Sequence, residues 1–290
     1  MMPVLTNPRA ERVKSVRALS GRSSRLRTGR FVVEGPQGVR EAVREAPERI
    51  HDLYVTAWGE ARYPEILRAA HANGLRVHET SDEVLAAMSA DAQGVLAVVA
   101  AAAPSFAGAF DSHPRLVAIL ACVRDPGNAG AVIRAADAAG ADLVILTSES
   151  VDLYNPKVVR ATAGSLFHLP VVTGVSLEES VAAVRGVGLR VLAADGGGDL
   201  DLDDLLDVAG GAGAATVPDL ARPTAWVFGN EAWGLSDEDR ALADDVVRVP
   251  IHGRAESLNL ATAATVCLYA SARAHRSTPR SSAGALDGRH

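Results

Sequence analysis

VPIHGRAESLNLATAATVCLYA, residues 249–270, is the stretch from which the rest of the chain can be read. It is entered from Val246-Val247-Arg248-Val249-Pro250, a strand-like run in which Pro250 cannot continue a central ladder, having no amide hydrogen. A polar turn follows from Ile251 to Glu256, with Gly253 free to take positive φ. Ser257 then precedes Leu258, Leu260, Ala263, Ala264 and Cys267, an apolar stripe at helical spacing. Ser257 alone reads as a helix cap. Asn259 does not fit that account. Asn is a poor helix former without an apolar role, yet it stands in the first turn, where free N–H groups favour an anion or polar ligand.

Two upstream strings, DPGNAGAVIRAADAAGA (125–141) and VFGNEAWGL (227–235), share this character. Asn128 falls where a helix begins after Asp125-Pro126-Gly127, and an N-cap role and a site role are both open to it. Arg134 lies among Ala131, Val132, Ile133, Ala135 and Ala136. An arginine in so apolar a helix must reach water or meet an anion, with Asp137 or Asp142 as structural candidates. Gly229-Asn230-Glu231 follows a buried-strand pattern directly. Glu231 is either an ordinary loop acid or a site residue, and Gly229 would let a ligand approach the backbone. All three strings follow strand-like runs, 116–123, 225–229 and 245–250, and ligands of parallel sheets gather at the carboxyl ends of strands.

In this order and spacing the three strings resemble the signatures of the SpoU/TrmH branch of the SPOUT RNA methyltransferases. The resemblance covers about the last 160 residues, and the first hundred are similar to the substrate-binding domain often fused in front, as in 23S rRNA methyltransferases of the thiostrepton-resistance type. It implies S-adenosylmethionine held in a deep trefoil knot, with backbone contacts at Ala194, Gly229, Val249, Ile251 and Leu258. It also implies methyl transfer to a ribose 2′-hydroxyl by a site of Asn128, Arg134, Glu231, Ser257 and Asn259, built across a homodimer two-fold. The family assigns Arg134 the role of proton acceptor, yet a guanidinium of pKa above about 12 is an awkward base, so we assign it to positioning. The knot rests on resemblance alone, since knots are essentially absent from folds in general.

Outward from these strings, the fold class is α/β in two domains. Residues 1–102 alternate strands and helices as a small α/β RNA-binding sandwich; 103–114 is an Ala-, Gly- and Pro-rich linker; 115–273 is a parallel-sheet domain. Val13, Val16 and Leu19 mark a first helix, LYVTAW (53–58) reads as a strand, and GVLAVVAA (94–101) as a strand buried on both faces. Ser176 and Glu179 have capping-box spacing. Glu34 ends a strand, and a solvated acid is the simpler account of it. Residues 271–290 lack an apolar period, so fraying is expected there, with a disordered tail over 274–290. Gly196-Gly197-Gly198 lacks the GxGxxG spacing of a dinucleotide loop.

The chain has 290 residues and a net charge of −6, but the charge is uneven. Arg9, Arg12, Lys14, Arg17, Arg22, Arg25, Arg27 and Arg30 face one acid, Glu11, while an acidic block spans Asp199 to Asp207. Arginine forks onto phosphate, so Arg22, Arg25, Arg27 and Arg30 are candidate RNA contacts. Cys122 and Cys267 are far apart and read as reduced core residues, and the histidines show no metal-ligand spacing. No apolar run reaches membrane length, and the start MMPVLTNPRAERVK lacks a signal core, so a cytoplasmic location is expected. Ribosomal RNA is the favoured substrate and the final helix a candidate dimer face, through Leu260, Val266, Leu268 and Tyr269. The alternatives are a transfer-RNA methyltransferase, a non-catalytic RNA-binding assembly protein and, more distantly, a nucleotide-dependent oxidoreductase.

Overall fold

Val13, Val16 and Leu19 are spaced so that about one helical turn brings each to the same side, and all three are buried along α1 (Glu11–Ala18) and the turn after it. The structure, a computed structural model, describes residues 4–102, 104–211 and 217–277. After α1 come α2 (Arg22–Thr28), β1 (Arg30–Glu34), α3 (Pro36–Glu45), β2 (Ile50–Thr56), α4 (Ala57–Arg62) and α5 (Pro64–Ala72). β3 (Val77–Thr80), α6 (Asp82–Met88) and β4 (Val95–Ala100) complete a mixed sheet in the order β1-β4-β2-β3. β4 pairs on both edges and is apolar throughout, which explains the lack of polar alternation over 94–101. The strand expected over 53–58 ends at Thr56. Its hydroxyl accepts from the Gly59 amide and starts α4, so Trp58 stands on a helix.

The second sheet is parallel and seven-stranded, in the order β7-β6-β5-β10-β8-β11-β9. Its strands are β5 (Leu116–Leu120), β6 (Leu143–Thr147), β7 (Val171–Val175), β8 (Arg190–Ala194), β9 (Leu200–Asp201), β10 (Thr224–Phe228) and β11 (Asp245–Arg248). The helices are α7 (Pro126–Ala139), α8 (Pro156–Ala161), α9 (Leu177–Gly186), α10 (Leu202–Val208), α11 (Asp237–Ala241) and α12 (Leu260–Ser277). Successive side chains of β5 and β6 point to opposite faces, and both faces are covered. Ala118, Leu120 and Val144 cluster with Ile133 of α7 and Leu268 of α12, while Val117, Ile119 and Ile145 meet Val181 and Val184 of α9. Leu268, expected on a dimer face, is therefore fully buried in its own subunit. The capping box of α9 forms as its spacing predicts, with Ser176 Oγ accepting from the Glu179 amide and the Glu179 carboxylate from that of Ser176.

The acidic run from Asp199, for which sequence patterning offers only a charge role, forms β9 and α10, burying Leu202 and Leu205 beneath an Asp201 cap. α12 continues to Ser277, through residues where fraying is expected. Ala272 and Ala274 are buried, and Ser271 Oγ accepts from Trp226 Nε1 at 2.9 Å. Residues 278–290, the rest of the predicted tail, lie outside the described residues. No helix among the described residues is long and apolar enough to cross a membrane.

β8 and β9 are consecutive in sequence, yet β11 lies between them. The link over 195–199 therefore crosses β11, and it does so tightly. A Cβ on Gly198 would sit 2.8 Å from the Val246 carbonyl oxygen and 2.9 Å from the Arg248 amide nitrogen. Within the triple glycine, Gly198 thus serves a close backbone crossing. Asp195 pins the link by accepting from the Gly197 amide and from Arg240. The last strand passes against a link made earlier in the chain, the threading expected of the knotted fold.

The two sheets share one apolar cluster. Phe31 of β1 meets the Tyr154 ring at 4.4 Å between centroids, and Tyr154 Oη donates to the Ala102 carbonyl at 2.6 Å. Within the predicted linker, Phe110 is buried against the parallel sheet. Polar contacts reinforce this seam. Arg160 donates to Glu34 and, at 2.6 Å, to Asp91, so Glu34 is buried and paired rather than a solvated strand end. Arg25, expected to face RNA, is 7% exposed. It donates to Asp152 at 2.6 Å and to the Leu19 and Ser20 carbonyls. With four of its five N–H donors committed and the side chain buried, Arg25 is not placed to meet a phosphate, which leaves Arg22, Arg27 and Arg30, all exposed. Arg25→Ala should lower stability by about 3 kcal/mol, the low end for breaking a buried ion pair, because Asp152 keeps some water. A denaturant melt checks this, and an unchanged midpoint would return Arg25 to the RNA-facing set.

Candidate active site

The chain leaves β5 through Cys122, whose φ of 54° is left-handed and uncommon for a residue with a Cβ. Two contacts hold it there. Its amide donates to Thr147 Oγ1 at 3.0 Å and its carbonyl accepts from Asn230 Nδ2 at 2.8 Å. This bend aims Arg124 and Asp125 toward the loop after β10. Asp125, not Asn128, is the cap of α7: its Oδ1 accepts from the Asn128 amide at 2.7 Å, and Pro126 occupies the first turn. Freed from capping, the Asn128 side chain turns outward and joins two other segments.

Asn128 Oδ1 accepts from Asn259 Nδ2 at 2.9 Å, and Asn128 Nδ2 donates to Glu231 Oε1 at 3.3 Å. The Glu231 carboxylate also takes the backbone N–H groups of Asp125 at 3.0 Å and Arg124 at 3.3 Å. The N-terminal end of α7 favours a negative charge there. Asn259, Asn128 and Glu231 thus form one continuous relay across the three sequence signatures. Amide O and N assignments along it follow from the hydrogen-bond pattern, with each donor facing an acceptor.

Asn259 has a second task. Its Oδ1 accepts from the Ala261 and Thr262 amides at 2.9 and 3.4 Å, so Asn259 caps α12 and Ser257 does not. Ser257 is exposed, its hydroxyl without a partner among the described residues. Arg134 is likewise exposed and unpaired among them. The ion pairs conceivable from sequence do not form, because Asp137 contacts His168 at 2.7 Å and Asp142 takes the Arg115 and Leu116 amides. Arg134 solves its desolvation problem by reaching water.

Any side chain at Gly229 would collide with backbone. A Cβ there would lie 2.4 Å from the Gly234 carbonyl carbon, so the close approach is made by its own loop. That loop closes through paired Asn230–Gly234 backbone hydrogen bonds of 2.9 Å and is tied inward by Asn230. Asn230, 6% exposed, was no candidate from sequence, although an amide directly after a buried strand signals a polar tie. Ala194, Gly229 and Val249 belong to the carboxyl ends of β8, β10 and β11. Phe228 pairs with Ala194 and Ala194 with Val247 in register. Ile251 and Leu258 lie in the loop before α12, exposed and half-buried respectively.

The arrangement is suited to orienting a neutral or anionic group, not to covalent attack. The nearby thiol of Cys122 is pushed up in pKa by burial first and then by Glu149, which favours the protonated form. Among the described residues no cluster of His, Cys, Asp and Glu is set to hold a metal ion. The cap assignment has a direct consequence. Asn259→Ala should cost about 1 kcal/mol of stability, whereas Ser257→Ala and Arg134→Ala should each stay within about 0.5 kcal/mol of wild type. Thermal melts of the three variants check this, and a larger loss for Ser257 than for Asn259 would overturn it.

Comparison with known proteins gives this geometry a family. The SpoU rRNA Methylase family model matches residues 115–269, and the MRM3-like substrate binding domain matches 10–97. The chain is 30% identical over 270 residues to the 23S rRNA (guanosine(2553)-2′-O)-methyltransferase RlmP of Bacillus subtilis strain 168, covering 92% of this chain and 98% of that protein. Among solved structures it is similar to an AdoMet-bound rRNA methyltransferase from Sinorhizobium meliloti, at 30% identity and a TM-score of 0.77 over 93% of this chain and 97% of that one. It is also similar to the SpoU methyltransferase AviRb from Streptomyces viridochromogenes in complex with the cofactor AdoMet, at 31% identity and a TM-score of 0.75, over 93% and 100% of the two chains. With one family model spanning more than half its length and a relative matched nearly end to end, the chain belongs to the SpoU rRNA methylase family.

Proposed function

We propose that the protein transfers the methyl group of S-adenosylmethionine to a ribose 2′-hydroxyl of 23S ribosomal RNA. The observation that carries this reading is the Asn259–Asn128–Glu231 relay, which brings the three family signatures into one hydrogen-bonded site. Relatives named as 23S rRNA 2′-O-methyltransferases support the substrate class. The protein works in the cytoplasm on this reading, with residues 1–102 serving substrate binding and 115–273 the chemistry.

The residues fit the cofactor. Ala194 and Gly229 place little or no side chain at neighbouring strand ends, and Ile251 and Leu258 leave apolar surface uncovered beside them. Main-chain groups with apolar walls suit an adenosine. When bound, S-adenosylmethionine supplies an electrophilic methyl and leaves as a neutral thioether, so the protein need not furnish an acid for the leaving group. The work of the chain is alignment. Asn128 and Asn259, fixed by each other and by Glu231, hold a polar face at the helix starts. Ser257, unpartnered, offers a hydroxyl to the ribose or its phosphate. Arg134 brings a permanent positive charge toward the oxygen that loses its proton, a positioning and charge-stabilising role.

We further propose a homodimer in which Arg134 of one subunit serves the site of the other. It is supported by the unpaired, exposed Arg134 and by Val266 and Tyr269 of α12, apolar side chains 39% and 43% exposed. Arg134→Ala and Asn259→Ala should each keep S-adenosylmethionine binding by calorimetry and lose radiolabelled methyl transfer by orders of magnitude. Mixing the two inactive variants with exchange of subunits should restore activity to about a quarter of wild type, since half the dimers regain one intact site of two. No restoration, in a preparation shown to exchange subunits, would place Arg134 in its own subunit's site.

A further inference from the structure

Of the chain's tryptophans, Trp226 is fully buried, whereas Trp233 is 58% exposed on the loop that carries Glu231. The exposure is not that of a slack loop. Asn230 and Gly234 exchange two backbone hydrogen bonds, Ala232 donates to Asn230 Oδ1 at 2.8 Å, and Gly229 packs backbone to backbone on Gly234. The turn that directs Glu231 inward therefore holds Trp233 outward in a set position. Arg124 stands across from it, its guanidinium carbon 5.3 Å from the indole centroid. Arg124 is exposed, and no carboxylate pairs with it among the described residues. Its backbone amide is held by Glu231.

One face of a rigid indole is thus covered by an arginine whose remaining donors are free, and the ring remains largely open to water. A stacking surface two residues beyond Glu231, beside a phosphate-capable fork whose backbone amide Glu231 holds, has the chemistry of a nucleotide rest. We propose that Trp233 stacks an RNA base next to the methylated ribose while Arg124 takes an adjoining phosphate, so that the pair positions the substrate strand. This rests on the RNA reading above and deepens it. Stacking on an aromatic face tolerates any base, so the pair supplies affinity and register rather than sequence choice. A contact with a second copy of the chain is the competing use of such a ring. The unpaired guanidinium upon it favours a polyanion.

The test compares binding of an oligoadenylate with that of an abasic ribose-phosphate oligomer of equal length, using the full chain. Trp233→Ala should weaken the oligoadenylate about tenfold and leave the abasic oligomer unchanged, with Trp233→Phe recovering most of the loss. Arg124→Ala should weaken both and lower the salt slope by about one. In methyl transfer, Trp233→Ala should raise the KM for RNA while kcat holds. Equal weakening of both oligomers by Trp233→Ala, or none, overturns the stacking role. A change in mass by light scattering would instead make the ring a subunit contact. Absence of methyl transfer by the wild-type protein counts against the proposed reaction and leaves the stacking result to stand separately.

Discussion

The carboxylate of Glu231 receives three donors from the one segment that opens α7: the backbone amides of Arg124 and Asp125 and the side-chain amide of Asn128. Each contact on its own is ordinary. Together they lock the loop after β10 onto the first turn of α7, where the helix dipole favours the same negative charge. Asn128 then has one acceptor left, and Asn259 takes it while capping α12 with its own oxygen. The start of the last helix is therefore tied to the site by one side chain performing two tasks. Removing Glu231 would release two backbone donors and one amide at once, so its carboxylate holds these segments together.

That relay depends on how the sheet is threaded. The segments involved follow β5, β10 and β11, of which β5 lies far upstream of the other two, and β11 reaches its place between β8 and β9 against the 195–199 link. Gly198 and Gly229 are among the places where backbone meets backbone too closely for any Cβ. A parallel sheet collects its loops at one edge, and the threading brings the final helix back to that edge against α7. The front sheet is joined to this arrangement by a shared apolar cluster and by Arg25 and Arg160, so the basic helices α1 and α2 are held in fixed relation to the site.

Much of this was legible in the residues. All-apolar runs such as 116–120 and 143–146 read as buried strands, the stripe of Val13, Val16 and Leu19 faces a core, and Ser176 with Glu179 announces its own cap. What escaped depends on partners distant in sequence. Ser257 and Asn259 are both able to cap, and the choice is made by Asn128, 131 residues away. Arg25 and Arg27 look alike in a basic run, and only Asp152 distinguishes them. Leu268 carries no mark separating an inner from an outer face on a helix rich in alanine. The glycines at 196–198 lack the spacing of a ligand loop, and what Gly198 is for shows only once β11 is seen to lie against it.

On the proposed function, this site methylates a ribose oxygen of ribosomal RNA. The most direct measurement incubates the full-length protein with unmodified 23S ribosomal RNA and S-adenosylmethionine labelled in its methyl group, then resolves the product by alkaline hydrolysis and mass spectrometry of nucleosides. Label is expected in an alkali-resistant dinucleotide, with the methyl on the ribose 2′-oxygen of a single nucleotide. Label on a base, or no incorporation into RNA by a protein that binds the cofactor, would contradict it.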